Sequence, residues 1–139
     1  MKKVFFALSA LVVLATACGK DDEKAVTPTK DNLVGSYKTT KLTMTSNGQT
    51  VDITNNDMFT ESCERDDIIK LNSTGTYDLV DAGVKCDPAG DDSGTWSLTN
   101  STTLTLDGEP VTIKSFNGKT LEIEESYGGT VFNSILTKQ

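Results

Sequence analysis

The chain reads as an all-β protein, an up-and-down antiparallel meander of about eight strands that closes into a barrel. Three observations point there: turn pairs recur at short intervals, threonine-rich runs between them alternate apolar with polar residues, and no three-turn helix follows residue 31. Asn47-Gly48, Asp107-Gly108, Asn117-Gly118 and Gly128-Gly129 supply the positive φ that tight hairpins need. Asn47-Gly48 separates expected strands at 35–45 and 50–54, and Ser73-Thr74-Gly75 separates 66–72 from 75–80. In 93–99, Trp96 and Leu98 share one face while Thr95, Ser97 and Thr99 share the other. The pattern repeats with Leu104 and Leu106 in 102–107, Val111 and Ile113 in 110–116, and Leu121 and Ile123 in 119–125. The last strand, 129–137, is apolar on both faces, with Val131 and Ile135 opposite Phe132 and Leu136. It therefore needs cover on both, expected from an N-terminal segment such as Leu33 and Val34, with a partner as the alternative. A meander with one apolar face removes its free edges by closing on itself.

The first 31 residues have a different character. Met1-Lys2-Lys3 is followed by an uncharged apolar run at 4–15, the length of a secretory signal core and too short to span a bilayer. The small residues Ala15, Thr16 and Ala17 lead to Cys18, and this run resembles the lipobox of bacterial lipoproteins, although Ala15 stands where leucine is usual. The resemblance implies that 1–17 is a signal peptide and that Cys18 becomes the lipidated N-terminus. Each buried methylene of an acyl chain such as palmitate contributes about 0.8 kcal/mol, and two chains anchor stably where one does not. Residues 18–31 carry charge without apolar periodicity and read as a flexible tether. Lys20, Asp21, Asp22 and Glu23 resemble a signal that exports lipoproteins to the outer face of the outer membrane in some Gram-negative groups. The expected location is thus the bacterial outer membrane, facing the exterior.

Charge narrows the partners. The chain has 13 basic and 20 acidic residues, and loss of residues 1–17 removes two lysines, leaving 11 against 20. That balance argues against nucleic acid and against peripheral binding to anionic lipid, so the covalent lipid is the expected membrane attachment. A monomeric domain over 32–139 is expected.

The central block carries a family resemblance. Cys63-Glu64, Asp66-Asp67, Gly75 with Tyr77, Cys86-Asp87, and Gly94, Trp96 and Leu98 are similar to the lipocalin-like domain of small bacterial lipoproteins. Gly35 and Tyr37 look like that fold's Gly-x-Trp opening, with tyrosine in place of tryptophan. The resemblance implies an up-and-down barrel and brings no ligand with it. Eight strands enclose at most one small molecule, for which Tyr37, Tyr77 and Trp96 are candidate contacts to an apolar ligand. In a filled barrel the same residues are core. The protein is then an interaction module for a surface protein or glycan.

Cys63 and Cys86 have no histidine or further free thiol with which to build a metal site, and Glu64, Asp66 and Asp67 outnumber Arg65 as neighbours that set thiol acidity. In an exported chain a disulfide is the simplest reading. The absence of histidine removes the commonest general base, and no Gly-x-Ser-x-Gly elbow is present. Glu122 and Glu124 share the strand face opposite Leu121 and Ile123, so this carboxylate pair reads as solvated outer surface. No catalytic residue, cofactor or metal ligand is assigned. The acidic stretch 81–93 offers Asp81, Asp87, Asp91 and Asp92 as oxygen donors of the kind calcium takes, in a spacing that matches no calcium loop, so a solvated loop is expected. Asn72 and Asn100, each in an Asn-x-Ser/Thr triplet, sit at turns and read as turn residues.

Overall fold

A computed structural model describes residues 24–139. The signal peptide assigned to 1–17, the lipidation site Cys18 and the export residues Lys20, Asp21, Asp22 and Glu23 lie outside the described residues. One helical turn, α1 (Lys30–Leu33), precedes nine strands: β1 (Gly35–Ser46), β2 (Gln49–Asp52), β3 (Ile68–Leu71), β4 (Thr76–Val80), β5 (Asp92–Asn100), β6 (Thr103–Leu106), β7 (Glu109–Phe116), β8 (Thr120–Tyr127) and β9 (Thr130–Lys138). A 3₁₀ turn, η1 (Glu64–Asp66), lies between β2 and β3. Both central residues of the Asn47-Gly48 and Asp107-Gly108 turns have positive φ, the conformation that matches hairpin twist.

All neighbouring pairs are antiparallel, in the order β2-β1-β3-β4-β5-β6-β7-β8-β9, and β1 also pairs β9. Eight strands, β1 and β3 to β9, therefore form a closed barrel, while β2 is a hairpin extension. β1 makes this possible through its length. Residues 35–38 pair β3, residues 43–46 pair β2, and the opposite edge runs along β9 from Tyr37 to Thr45, with a bulge between Thr39 and Lys41.

The barrel has two unlike ends. At one, α1 and the turns after β3, β5 and β7 close over a packed core in which Leu33, Tyr37, Leu71, Trp96, Leu104, Phe116, Leu121 and Leu136 are buried. Leu33 lies in the same cluster as Leu136, which supplies the expected cover on the inner face of β9; Val131, Phe132 and Ile135 stay partly exposed. The buried Tyr37 hydroxyl donates to the Leu33 carbonyl at 2.7 Å, and the Trp96 indole N–H donates to the Asn72 carbonyl at 2.9 Å, so each polar tip is satisfied. Burial holds the Tyr37 phenol far above its ordinary pKa. Thr29 caps α1 and the Val26 N–H donates to the Phe116 carbonyl at 2.8 Å. The chain is thus docked on the barrel from Val26, ahead of the domain start expected at residue 32.

Gly94 shapes the wall. Tyr77 on β4 lies opposite it, and a Cβ at Gly94 would sit 2.4 Å from the Asp107 carboxylate and 2.6 Å from the Tyr77 ring. Without that atom the ring passes over β5 and its hydroxyl donates to Asp107 Oδ2 at 2.6 Å. The bond holds the Asp107 carboxyl below the ordinary range and, with burial second, pushes Tyr77 up to about 12. For Asp107 the contribution to stability is complete above the unfolded carboxylate pKa and fades as pH falls through the lowered folded value. For Tyr77 it is complete below the unfolded phenol pKa and fades as pH rises through about 12. Gly94→Ala is expected to break this bond, to lower stability by roughly 1–3 kcal/mol in urea denaturation, and to raise the Asp107 pKa in carboxyl NMR titration. An unchanged midpoint and pKa would contradict the account.

Candidate functional site

The open end contains the cavities. β3 leaves β1 after Lys38 and β2 joins only at Thr43, so residues 39–42 have no strand on that edge. The β2–β3 connection, residues 53–67, fills the gap. The Ile53 N–H donates to the Leu42 carbonyl at 2.9 Å, and the Leu42 N–H donates to Thr54 Oγ1 at 2.9 Å. Behind this cover lies a cavity of about 390 Å³, lined among others by Thr39, Leu42, Glu64, Arg65 and Ser134. A second, of about 170 Å³, is lined by Thr39, Glu64, Asp67, Ile69, Leu79 and Gly90. Thr39 and Glu64 are common to both, so the two adjoin.

The cover is held by polar contacts that sequence spacing did not reveal. The Arg65 guanidinium bonds Asp57 and donates to the Thr60 carbonyl at 3.2 Å, while the Glu61 N–H donates to Glu64 Oε2 at 2.8 Å. Cys63 and Cys86 form a disulfide, with Cα atoms 5.3 Å apart, that ties this segment to the β4–β5 loop. That loop is built around carboxylates. Asp81, expected in a solvated loop, is fully buried, and its Oδ2 accepts from the Cys86 N–H at 3.2 Å and the Gly90 N–H at 3.1 Å. Asp66 accepts from the Val84 N–H at 2.9 Å, Asp67 from the Ala82 N–H at 3.1 Å, and Asp91 from the Asp81 N–H at 3.0 Å. Hydrogen bonds to a charged acceptor contribute about 1.5–3 kcal/mol each, so acids spaced for no metal can order a loop. Among the described residues no group of three or more acidic or cysteine side chains could hold a metal ion. Burial, aided by the neighbouring charges of Asp81, Asp66 and Glu64, raises the Asp67 pKa against the bond from the Ala82 N–H, which lowers it.

The three aromatic ligand candidates are not brought together on a cavity wall. Tyr37 and Trp96 are 0% and 3% exposed in the packed end, and Tyr77 is engaged with Asp107 at the rim. Neither cavity is lined by any of them. The cause is volume: a barrel of eight short strands fills with its own large side chains where they converge. Glu122 and Glu124 lie on the outer wall. Glu122 accepts from Ser115 Oγ at 3.0 Å and Asn133 Nδ2 at 2.9 Å, and Glu124 pairs with Lys114 at 3.2 Å. Asn72 and Asn100 hold turns, Asn72 donating to Thr76 Oγ1 at 3.2 Å and Asn100 accepting from the Thr102 N–H at 2.9 Å.

A closed eight-stranded meander, packed at one end and hollow beneath a loop at the other, defines a class of small β-barrels that hold small ligands. The model of the lipocalin-like domain family matches residues 33–123, and the chain belongs to that family. Comparison with curated proteins and with solved structures gives no match.

The disulfide anchors the cover through a separation of 23 residues. Replacing Cys63 and Cys86 together by serine is expected to cost about 3 kcal/mol of stability in urea denaturation. Amide exchange should accelerate in 53–67 and 81–91 before it does in the packed end. Uniform acceleration would contradict the role of the bridge as a local staple.

Proposed function

We propose that this protein is a lipid-anchored, non-enzymatic, monomeric binding domain on the outer face of the bacterial outer membrane, taking a small ligand in the open-end cavity. The observation that carries the binding assignment is the adjoining pair of cavities beneath the 53–67 cover, in a barrel whose other end is filled. Their lining mixes Leu42, Ile69 and Leu79 with hydroxyl and charged groups, so the ligand is amphipathic, where an aromatic cage would have suited a purely apolar one. The absence of histidine and the engagement of Glu122 and Glu124 on the outer wall support a role without catalysis. The anchor and address rest on the sequence at Cys18 and on Lys20, Asp21, Asp22 and Glu23.

Docking of a protein or glycan on the rim is the second reading. Met58, Phe59, Val84 and Tyr127 favour it, since all four are exposed on the open-end loops and strand end.

In cells expressing the full chain, labelled palmitate should enter the protein and fail to enter Cys18→Ser. Protease added to intact cells should digest it. Label retained by Cys18→Ser, or protection from protease, would defeat the anchor or the address respectively. Native mass spectrometry should find a co-purifying small molecule, released when the barrel unfolds. A barrel that is always empty and accepts no added small ligand would leave rim docking as the better reading.

A further inference from the structure

We propose that the open end carries a docking face for an amphipathic helix with basic flanks, supplied by a partner protein; the face is separate from the cavity and does not depend on what the cavity holds. The barrel wall is not continued equally on all sides. The β7–β8 ladder ends at Thr112↔Glu124, beyond which Pro110 has no N–H to donate, and β3 leaves β1 after Lys38. The strands β8, β9, β1 and β2 run on together as a lip, over residues 125–127, 130–132, 43–46 and 49–52. Register makes one face of this lip apolar. Leu42 and Ser134 are paired and both line the larger cavity, so their side chains point inward. Two residues further along their strands, Met44 and Phe132 are paired on that same face, and Val51 is paired with Met44. Tyr127, two residues beyond Glu125 on β8, shares it. The outward face is polar, with the Thr45 and Thr50 hydroxyls 2.8 Å apart. Val51 is 50% and Tyr127 84% exposed, and the half-buried Met44 and Phe132 are not part of the core cluster.

Charge selects the occupant. Glu125 is paired with Phe132 on the apolar face, and Glu109 meets it across the gap between β7 and β8, in a groove of about 450 Å³ that Tyr127 also lines. That groove has no lysine or arginine in its lining, and neither carboxylate has an ion-pair or hydrogen-bond partner among the described residues. A second copy of the chain would set these acids against their like, and an anionic lipid surface would be repelled. Apolar packing here therefore calls for a partner that brings positive charge. Size selects its shape. Four strands about 4.8 Å apart span about 14 Å, which a single helix of about 10 Å diameter crosses in roughly nine residues.

Calorimetric titration of the purified full chain with three peptides of about 14 residues tests the proposal: an amphipathic leucine–lysine helix, a scrambled peptide of the same composition, and a leucine–glutamate counterpart. The amphipathic basic peptide should bind about tenfold or more tighter than either of the others. Val51→Ser combined with Tyr127→Ser, both at exposed positions, should lower its affinity about tenfold, with circular dichroism showing the barrel intact. Glu109→Gln combined with Glu125→Gln should lower it several-fold at low salt and flatten its salt dependence. Val84→Ser, exposed on the β4–β5 loop and off the lip, should leave it unchanged. Equal binding of the scrambled or acidic peptide, affinity unchanged in the Val51–Tyr127 variant, or no binding at all overturns the proposal. A dimer in sedimentation, or binding to phosphatidylglycerol vesicles, that the Val51–Tyr127 variant abolishes would give the face to a second copy or to lipid and overturn it equally.

Discussion

The pairing of β1 with β9 is the constraint on which the rest of this structure depends. An open nine-stranded meander would expose two edges of unpaired N–H and C=O groups, and closure pairs the β9 edge and leaves the outer edge of the short β2. One strand must then serve three neighbours. β1 gives one edge to β9 and divides the other between β3 and β2, and the division leaves residues 39–42 without a strand partner on that second edge. The bulge between Thr39 and Lys41 falls in that interval. The gap in the wall and the cavity behind it are therefore consequences of how the barrel closes.

A gap of this kind needs a cover that is neither strand nor helix, and irregular backbone brings N–H groups that require acceptors. Here the acceptors are carboxylates. Asp66 and Asp67, just after Cys63, accept from Val84 and Ala82 across the disulfide, and buried Asp81 accepts from Cys86 and Gly90 within its own loop. The covalent bridge and the acidic network thus act on the same two segments. At the closed end the direction is reversed: Tyr37 and Trp96 fill the volume and donate from their polar tips to main-chain carbonyls.

How much could be read beforehand follows from the range of each interaction. Strand alternation and Asn-Gly or Asp-Gly turns are local, and all nine expected strands appear with ends within about two residues of those in the structure. The disulfide was legible because the chain offers Cys63 and Cys86 few other uses. The cavity was not. Tyr37, Tyr77 and Trp96 attract attention as large aromatic residues, but whether such a residue lines a hollow or fills it depends on which strands converge on it. Arg65 looked unremarkable among acids, since its partners are Asp57 and the Thr60 carbonyl on a loop with no periodicity. A cation flanked by acids in a segment pinned by a cysteine was the one available signal.

By itself the sequence determined the all-β meander, its turns, its family likeness and its pair of bridging cysteines, because each is written in neighbours a few residues apart or in the scarcity of alternatives. Only the tertiary structure decided that the aromatic residues are core, that Asp81 is buried as an acceptor, and that the hollow lies beside β1 between Leu42 and Arg65. Those features arise where segments distant in the chain meet across a closed barrel, and side-chain volume and hydrogen-bond direction act only once the strands have come together.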